Sequence, residues 1–196
     1  NGIEFLKSCQ HTFEWIYIDT SRRDAQKNKK FLIEDCSPNV KTFQGLFLKY
    51  ATNVLIKMSP MLDISVGLEA LKHVKTIYII AIRNEVKELL FHQEKGYAGQ
   101  ATIHTLNSHP SGDEHFSFKR AEEDTAEARY SAPKQFLYEP NAAVMKSGAF
   151  KLISERFKLD KLDPHTHLYT MGFIDQTCHM HLPWVSNPTR ARRANL

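Results

Sequence analysis

An acidic and basic stretch follows the first apolar run of the chain. The run covers residues 13–18 (FEWIYI), and after it come Asp19, Thr20, Ser21, Arg22, Arg23 and Asp24. Such a run predicts a buried parallel strand, and the carboxyl end of such a strand borders the ligand crevice of an open α/β sheet. A carboxylate there can accept a hydrogen bond from an amine, while the arginines can bind phosphate. The alternative is a strand-end aspartate that caps a loop beside solvated arginines.

A second polar loop follows the short apolar run at residues 53–57. It carries Lys57, Ser59 and Asp63. Lys57 could pair with Asp63 or with a phosphate, and Ser59 could hydrogen-bond to either. The alternative is a rigid loop whose Met61 and neighbouring leucine only seal the core. If the two strands run side by side in the same direction, both loops open onto one pocket.

The last third of the chain offers a possible RNA-binding surface. Asn141 is a natural N-cap for a helix bearing Lys146, and the amides at that helix start could receive a phosphate. His167 and Tyr169 could stack on an unpaired base. The alternative is a solvated helix face with a core tyrosine.

The cysteines and histidines do not predict a metal site. The three cysteines are widely separated and odd in number, which argues against a disulfide framework and against a CxxC zinc site. The i, i+2 pairs His165/His167 and His179/His181 lack a paired ligand signature. Cys36 has no base nearby in sequence to make it a nucleophile. We therefore predict no metal and no covalent catalysis.

The elements that must position these residues alternate between strand and helix. The segments 40–50 and 66–73 have helical spacing of apolar residues, and the segments 53–57 and 76–82 are short apolar strands. Such alternation indicates a parallel sheet with helices packed on it.

A helix is then predicted at residues 84–94, with Asn84 as its N-cap. Two strands follow at 102–106 and 115–119, separated by a turn with Pro110. Together with the preceding strand they predict a β-α-β-β unit of ferredoxin-like character. Beyond an acidic helix or linker, residues 142–157 are predicted to be helical with an interruption at Gly148.

Six separated blocks carry a family resemblance: FEWIYIDTSRRD, DCSPNV, VLIKMSPMLDI, NEVKELL, FLYEPNAAVMKSGAF and KLDPHTHLYT. Over residues 2–170 the chain resembles bacterial class I S-adenosylmethionine-dependent methyltransferases with a carboxy-terminal THUMP-like domain. The resemblance implies an α/β fold: the end of a Rossmann-like parallel sheet (1–73), a ferredoxin-like module (74–121) and a THUMP-like domain that presents RNA, with a divergent tail (122–196).

The resemblance also implies roles for the candidate residues. In that family the acidic motif reads Asp-Pro-Ala-Arg-Arg-Asp and lies near the methyl-transfer site, whereas this chain has Thr20 and Ser21 in place of the proline and alanine. The implied catalytic residues are Asp19, Lys57 and Asp63, and the implied S-adenosylmethionine contacts are Asp19, Ser21 and Arg22. The implied substrate contacts are Arg22, Arg23, Ser59, Asn141, Lys146, His167 and Tyr169.

The glycine-rich loop that holds S-adenosylmethionine in such enzymes is not found in this sequence. None of the eight glycines forms a GxGxG element after a strand. We therefore expect a carboxy-terminal fragment that is inactive alone and binds the cofactor weakly or not at all. The alternative is a non-catalytic RNA-binding or interaction module.

The composition of the chain limits the class of protein to which it can belong. With 196 residues, 42% hydrophobic and 24% charged, the chain has a globular composition. A net charge of +4 permits contact with RNA but does not establish it. Neither a secretion signal nor an apolar run of the ~20 residues that cross a bilayer is present. The sequence thus predicts a cytoplasmic protein with no membrane contact.

Overall fold

The computed structural model describes residues 2–22, 33, 36–172 and 189–190. The chain divides into two units. Unit 1 consists of Asn1–Tyr78 and Lys87–Thr102, and unit 2 of Ile79–Val86 and Ile103–Leu196. Among the described helices, none has the length and apolar character needed to span a membrane.

The secondary structure follows the chain in this order. The first elements are α1 (Gly2–Ser8), β1 (Phe13–Asp19), β2 (Ser21–Arg22), β3 (Cys36–Ser37), α2 (Val40–Tyr50), β4 (Ala51–Met58), α3 (Ile64–Ala70), β5 (Val74–Ile82) and β6 (Glu85–Glu94). They are followed by β7 (Thr102–His109), β8 (Gly112–Lys119), α4 (Arg120–Thr125), β9 (Arg129–Tyr130), β10 (Phe136–Tyr138), α5 (Ala142–Ser147), α6 (Phe150–Phe157), β11 (Asp160–Lys161), β12 (Tyr169–Met171) and β13 (Thr189–Arg190).

The sheet of unit 1 is mixed. β1 pairs with β4 in parallel, β4 pairs with β6 in antiparallel orientation, and β5 lies beside β6. An antiparallel strand beside parallel ones is common in doubly wound sheets. The predicted parallel arrangement of β1 and β4 is therefore confirmed, and it brings their carboxyl ends to the same edge.

One face of this sheet carries the core. Val54, Ile56 and Phe91 are fully buried there beneath α2 and α3, and each such side chain contributes about 1.5–3 kcal/mol by leaving water. A Cβ on Gly67 of α3 would overlap the Phe91 ring, so only glycine lets the helix approach this closely. Asn39 caps α2 by accepting a hydrogen bond from the Thr42 N–H at 3.0 Å.

Strand β1 is less buried than its apolar sequence predicts. Of its residues only Ile18 is buried, whereas Trp15 and Tyr17 are 51% and 58% exposed. The reason is position: β1 is the terminal strand in the sheet order, and these two side chains lie on the face opposite α2 and α3. The prediction of a fully buried strand was wrong for this face.

The predicted helix at residues 84–94 is also wrong, because this segment is strand β6. Arg83 and Asn84 both have positive φ, of 51° and 62°, which is the backbone of a two-residue hairpin turn. Asn84 is thus a turn residue rather than a helix cap. Leu89, Phe91 and Gln93 are fully buried at alternating positions, as a strand requires. The β-α-β-β order predicted within residues 74–121 therefore does not occur.

Unit 2 contains α+β structure. β7 lies between β5 and β8, and a second sheet has the order β13-β10-β12-β11-β9. α5 and α6 are separated at Gly148, which has a left-handed φ of 78°, so the predicted interruption is confirmed. The predicted fold class, an α/β sheet followed by small α+β structure, is confirmed as well. The predicted domain boundaries remain predictions.

Candidate functional site

The carboxyl ends of β1 and β4 meet in unit 1. The two strands are in register, with Ile18 opposite Ile56 and Asp19 opposite Lys57. Because parallel strands place their carboxyl ends at one edge, the side chains that follow them lie together. The predicted pocket required two adjacent strands that run in the same direction, and β1 and β4 meet that requirement.

Lys57 lies between two carboxylates at this edge. Its Nζ is 3.3 Å from Asp19 Oδ2 and 3.7 Å from Glu88 Oε2. The hydrogen bond to Asp19, followed by the charge of Glu88, raises the pKa of Lys57 above its usual range. Since all three side chains are partly exposed, the pairs contribute little to stability. Their main consequence is a fixed, locally negative group of charges.

The charge of this cluster limits what it can bind. Two carboxylates around one ammonium leave a formal charge of −1, which disfavours a phosphate at Lys57. Hydrogen-bond donors such as amines and hydroxyls, and cationic groups, are favoured instead. The arrangement can orient an amine against Asp19 while Lys57 holds the carboxylate in place.

Thr20 fixes the loop after β1. Its hydroxyl donates a hydrogen bond to the Lys57 carbonyl oxygen at 2.8 Å and lies 3.7 Å from the Met58 sulfur. A proline, which the resembled family has here, offers no hydroxyl. The threonine thus ties the end of β1 to the end of β4.

Glu88 and Tyr17 are site residues that the sequence did not reveal. Glu88 was assigned to a helix, so its approach to Lys57 could not be foreseen. The alternation of buried residues in β6 and the Arg83–Asn84 turn were the available signals. Tyr17 precedes Asp19 by two residues on the same strand, so its exposed ring lies on the same sheet face.

The loop after β4 is held by its own hydrogen bonds. Asp63 caps α3, accepting from the Ser65 N–H at 2.7 Å, so the predicted pairing of Lys57 with Asp63 is wrong. Ser59 Oγ accepts from the Met61 N–H at 3.3 Å. Both residues stay near the strand end, where they shape the loop.

The structure describes only residues 19–22 of the motif that spans residues 19–24. Ser21 and Arg22 form β2, which pairs with Cys36 and Ser37 of β3. This pairing places their backbone directly after the candidate site. Arg23 and the aspartate after it lie outside the described residues, as do Cys178, His179 and His181. Among the residues that the structure does describe, no group of three or more His, Cys, Asp or Glu side chains is placed to hold a metal ion.

Asn141 is a structural residue of unit 2. Its side chain is 1% exposed; it accepts from the Val144 N–H and donates to Glu114, both at 3.0 Å. The Ala142 N–H donates to Asn84. Because these donors at the start of α5 already have partners, the predicted phosphate site there is not supported.

His167 and Tyr169 do not present open rings. The ring of His167 stacks on Phe150 with centroids 3.7 Å apart, and its pKa is lowered by burial and by Lys161. Tyr169 is fully buried, donates to the Phe150 carbonyl oxygen at 2.7 Å, and has a pKa raised by burial. The predicted stacking of Tyr169 on a base is therefore wrong, since the core already covers both faces of its ring.

The basic side chains that follow Asn141 along the chain make several contacts within unit 2. Arg156 binds Glu122, Lys151 donates to the Asp124 carbonyl oxygen at 3.1 Å, and Lys161 is buried and donates to the Pro164 carbonyl oxygen at 3.2 Å. Lys146 is half-buried in the last turn of α5. Of these contacts only that of Arg156 with Glu122 pairs opposite charges, because the acceptors of Lys151 and Lys161 are neutral carbonyl oxygens, so the positive charge of the two lysines remains.

Comparison with known proteins adds two similarities. A ferredoxin-like domain family matches residues 136–175. The crystal structure of a "putative methyltransferase" from Porphyromonas gingivalis W83 is similar with a TM-score of 0.74 and 32% sequence identity, over 84% of this chain and 41% of that chain. This chain therefore spans about two fifths of that relative. No curated protein matches it.

The ferredoxin-like match and the predicted ferredoxin-like module lie in different parts of the chain. It falls within residues 122–196, the segment for which the resemblance implies a THUMP-like domain, and not within 74–121. It covers β10, α5, α6, β11 and β12. The match therefore falls on the helices α5 and α6 and on three strands of the small sheet of unit 2.

Proposed function

We propose that this chain is the carboxy-terminal part of an S-adenosylmethionine-dependent methyltransferase that acts on RNA. The observation that carries the proposal is the cluster of Asp19, Lys57 and Glu88 at the carboxyl ends of two parallel strands. The similarity to the Porphyromonas gingivalis structure over 84% of this chain supports the same class of reaction.

The residues present fit one wall of a site for this cofactor. A net charge of −1 suits a positively charged sulfonium and the amine and hydroxyl donors of the molecule. S-adenosylmethionine would supply the methyl group. Asp19 would accept a hydrogen bond from a donor group in the site, and Lys57 and Thr20 would hold Asp19 and its loop in position. Catalysis of this kind depends mainly on orientation.

RNA as the acceptor is supported by an exposed aromatic ring beside the carboxylates. Tyr17 lies on the same sheet face as Asp19 and is 58% exposed. Unpaired bases stack on such rings, and base amines donate to carboxylates. We propose that a nucleobase lies against Tyr17 with its acceptor atom directed toward Asp19.

Amide chemical-shift mapping with S-adenosylmethionine tests the proposal, because NMR detects even weak binding. We expect shifts at Asp19, Thr20 and Lys57, and their loss in Asp19→Asn. Glu69→Gln, which removes an exposed carboxylate from α3 of the same unit, is the matched control and should respond like the wild type. S-adenosylhomocysteine, which lacks the positive charge, should bind more weakly.

Two results would count against a methyltransferase site. One is the absence of shifts at the two strand ends at millimolar cofactor. The other is an Asp19→Asn variant that responds like the wild type. Salt-sensitive RNA binding with no response to the cofactor would favour the alternative, a non-catalytic RNA-binding module.

A further inference from the structure

A second candidate site lies at the opposite end of β4. A cavity of about 340 Å³ opens where α2 ends, β5 begins and β6 ends. Its lining includes Lys49, Lys72, His73, Lys95, Gln44 and Gly96. The volume is within the range of small-ligand sites, roughly 300–1,000 Å³.

The cavity concentrates positive charge. Three lysines line it and no acidic residue does. Among the described residues, none of the three ammonium groups forms an ion pair; Lys49 lies over the Tyr50 ring at 5.1 Å. The carboxyl ends of α2 and α3 add only about half a negative charge each. Within the described part of the chain, no lining carboxylate balances the positive charge of the cavity.

His73 is held in the wall by two hydrogen bonds. Its Nδ1 is 2.8 Å from the Tyr97 carbonyl oxygen, and its own carbonyl oxygen accepts from the Glu94 N–H at 3.0 Å. Since a carbonyl only accepts, Nδ1 carries the proton. The backbone of His73 is left-handed, with φ of 58°, a conformation that non-glycine residues rarely adopt without compensation.

Gln44 makes the wall rigid. Its amide nitrogen donates to the carbonyl oxygens of Ala70 and Lys41, both at 3.0 Å, and its oxygen accepts from the Lys72 N–H at 2.8 Å. Lys72 is thus anchored through its backbone, with His73 next to it.

We propose that this cavity binds a phosphate group of an RNA backbone. The phosphate chemistry rests on the cavity alone, whereas the choice of RNA rests on the proposed function. The cavity and the Asp19–Lys57 cluster lie at opposite ends of β4, on the order of 20 Å apart at ~3.3 Å per residue. A few nucleotides span that distance, so the cavity would position a strand whose base enters the candidate active site.

RNA binding by a double variant tests the inference. Fluorescence anisotropy with a labelled single-stranded RNA would compare the wild type with Lys72→Met/Lys95→Met. The matched control is Lys87→Met/Lys158→Met, which removes the same charge from exposed positions outside the cavity. We expect the cavity variant to bind about tenfold or more weakly, with a salt slope lower by roughly 0.7 for each phosphate that the protein no longer neutralises. The control should change much less.

The outcomes distinguish an RNA phosphate in the cavity from non-specific attraction and from free phosphate. Equal weakening of both double variants would mean non-specific attraction and would overturn the proposal. Inorganic phosphate that shifts the amides of Lys72 and His73, combined with RNA binding that does not depend on the lysines, would assign the cavity to free phosphate and overturn the RNA assignment. RNA binding that depends on the cavity, without any cofactor response at Asp19, would uphold this inference while the methyltransferase proposal fails.

Discussion

At the scale of single residues, Lys57 has two partners of different strength. Its hydrogen bond to Asp19 is the largest cause of its raised pKa, and the charge of Glu88 comes second. Glu88 Oε2 is buried and accepts no hydrogen bond among the described residues. A small movement of the lysine would satisfy that oxygen. Glu88 is therefore positioned to hold Lys57 when a ligand occupies Asp19.

This arrangement predicts the titration of Lys57. We expect its pKa to fall in Asp19→Asn, to fall less in Glu88→Gln, and to return to the ordinary ~10.4 in the double variant. ¹³C NMR of the lysine Cε measures it. Because the folded pKa is raised, the associated stabilisation is present below ~10.4 and disappears as pH rises through the folded value. A double variant that titrates like the wild type would exclude both carboxylates as the cause.

Thr20 gives a second prediction, for stability. Thr20→Val keeps the shape of the side chain but removes the hydrogen bond to the Lys57 carbonyl oxygen. We expect the free energy of unfolding to fall by about 1 kcal/mol, the typical contribution of such a bond. Thr20→Ser retains the hydroxyl and should lose less. Urea unfolding measures both variants, and a Thr20→Val variant as stable as the wild type would show that the hydrogen bond contributes nothing.

At the scale of elements, local patterns predicted the parallel strands but not the hairpin. The apolar runs of β1 and β4 and the helical spacing of α2 are short-range signals, and the structure agrees with them. The segment 85–94 mixes leucine and glutamate, which favour helix, with a buried alternation that is visible only once its neighbours are known. Tertiary pairing with β4 decided its structure.

The same distinction explains which site residues could be predicted. Asp19 and Lys57 follow apolar runs directly, so their position at a strand end can be read from the sequence. Glu88 reaches them only through the antiparallel pairing of β6, and Tyr169 is covered by residues that no local pattern connects to it. Sequence spacing located the edge of the sheet but not all of the side chains that meet there.

The two asparagine caps differ in their surroundings, which gives a prediction. Asn39 caps α2 at a half-buried position, whereas Asn141 is buried, caps α5 and also donates to Glu114. Asn39→Ala should cost about 1 kcal/mol. Asn141→Ala should cost about 2–4 kcal/mol, because Glu114 also loses a buried donor. Denaturant unfolding of the two variants compares them, and equal losses would mean that the interaction with Glu114 contributes nothing.

At the scale of the whole molecule, the net charge of +4 is a sum over regions of negative and positive charge. Within unit 1 the cluster at the end of β4 has a formal charge of −1, and the cavity at its start is lined by three lysines. Such a separation draws a polyanion toward one edge of the sheet and donor groups toward the other. The distribution of charge, rather than its sum, is what supports our proposal of an RNA partner.

A buried histidine in unit 1 and a half-buried histidine in unit 2 make the stability of the molecule depend on pH. His92 stacks on Trp15, with its Nε2 3.0 Å from Asn53 Oδ1. Burial, followed by the charge of Lys75, lowers the pKa of His92 although Glu94 opposes the shift. The pKa of His167 in unit 2 is lowered by burial and by Lys161. In both cases the unfolded chain takes up a proton more readily than the folded one.

The sign of the effect follows from this difference. Since the folded pKa values lie below the unfolded value of ~6.5, the stabilisation is present above that pH and is lost as pH falls toward the folded values, by at most about 1.4 kcal/mol per pH unit for each histidine. Urea unfolding between about pH 8 and pH 5.5, which brackets ~6.5, should show this decline. His92→Gln, which keeps a donor for Asn53, should flatten it, and the exposed control His115→Gln should not. A decline as steep in His92→Gln as in the wild type would show that His92 does not take up the proton on unfolding.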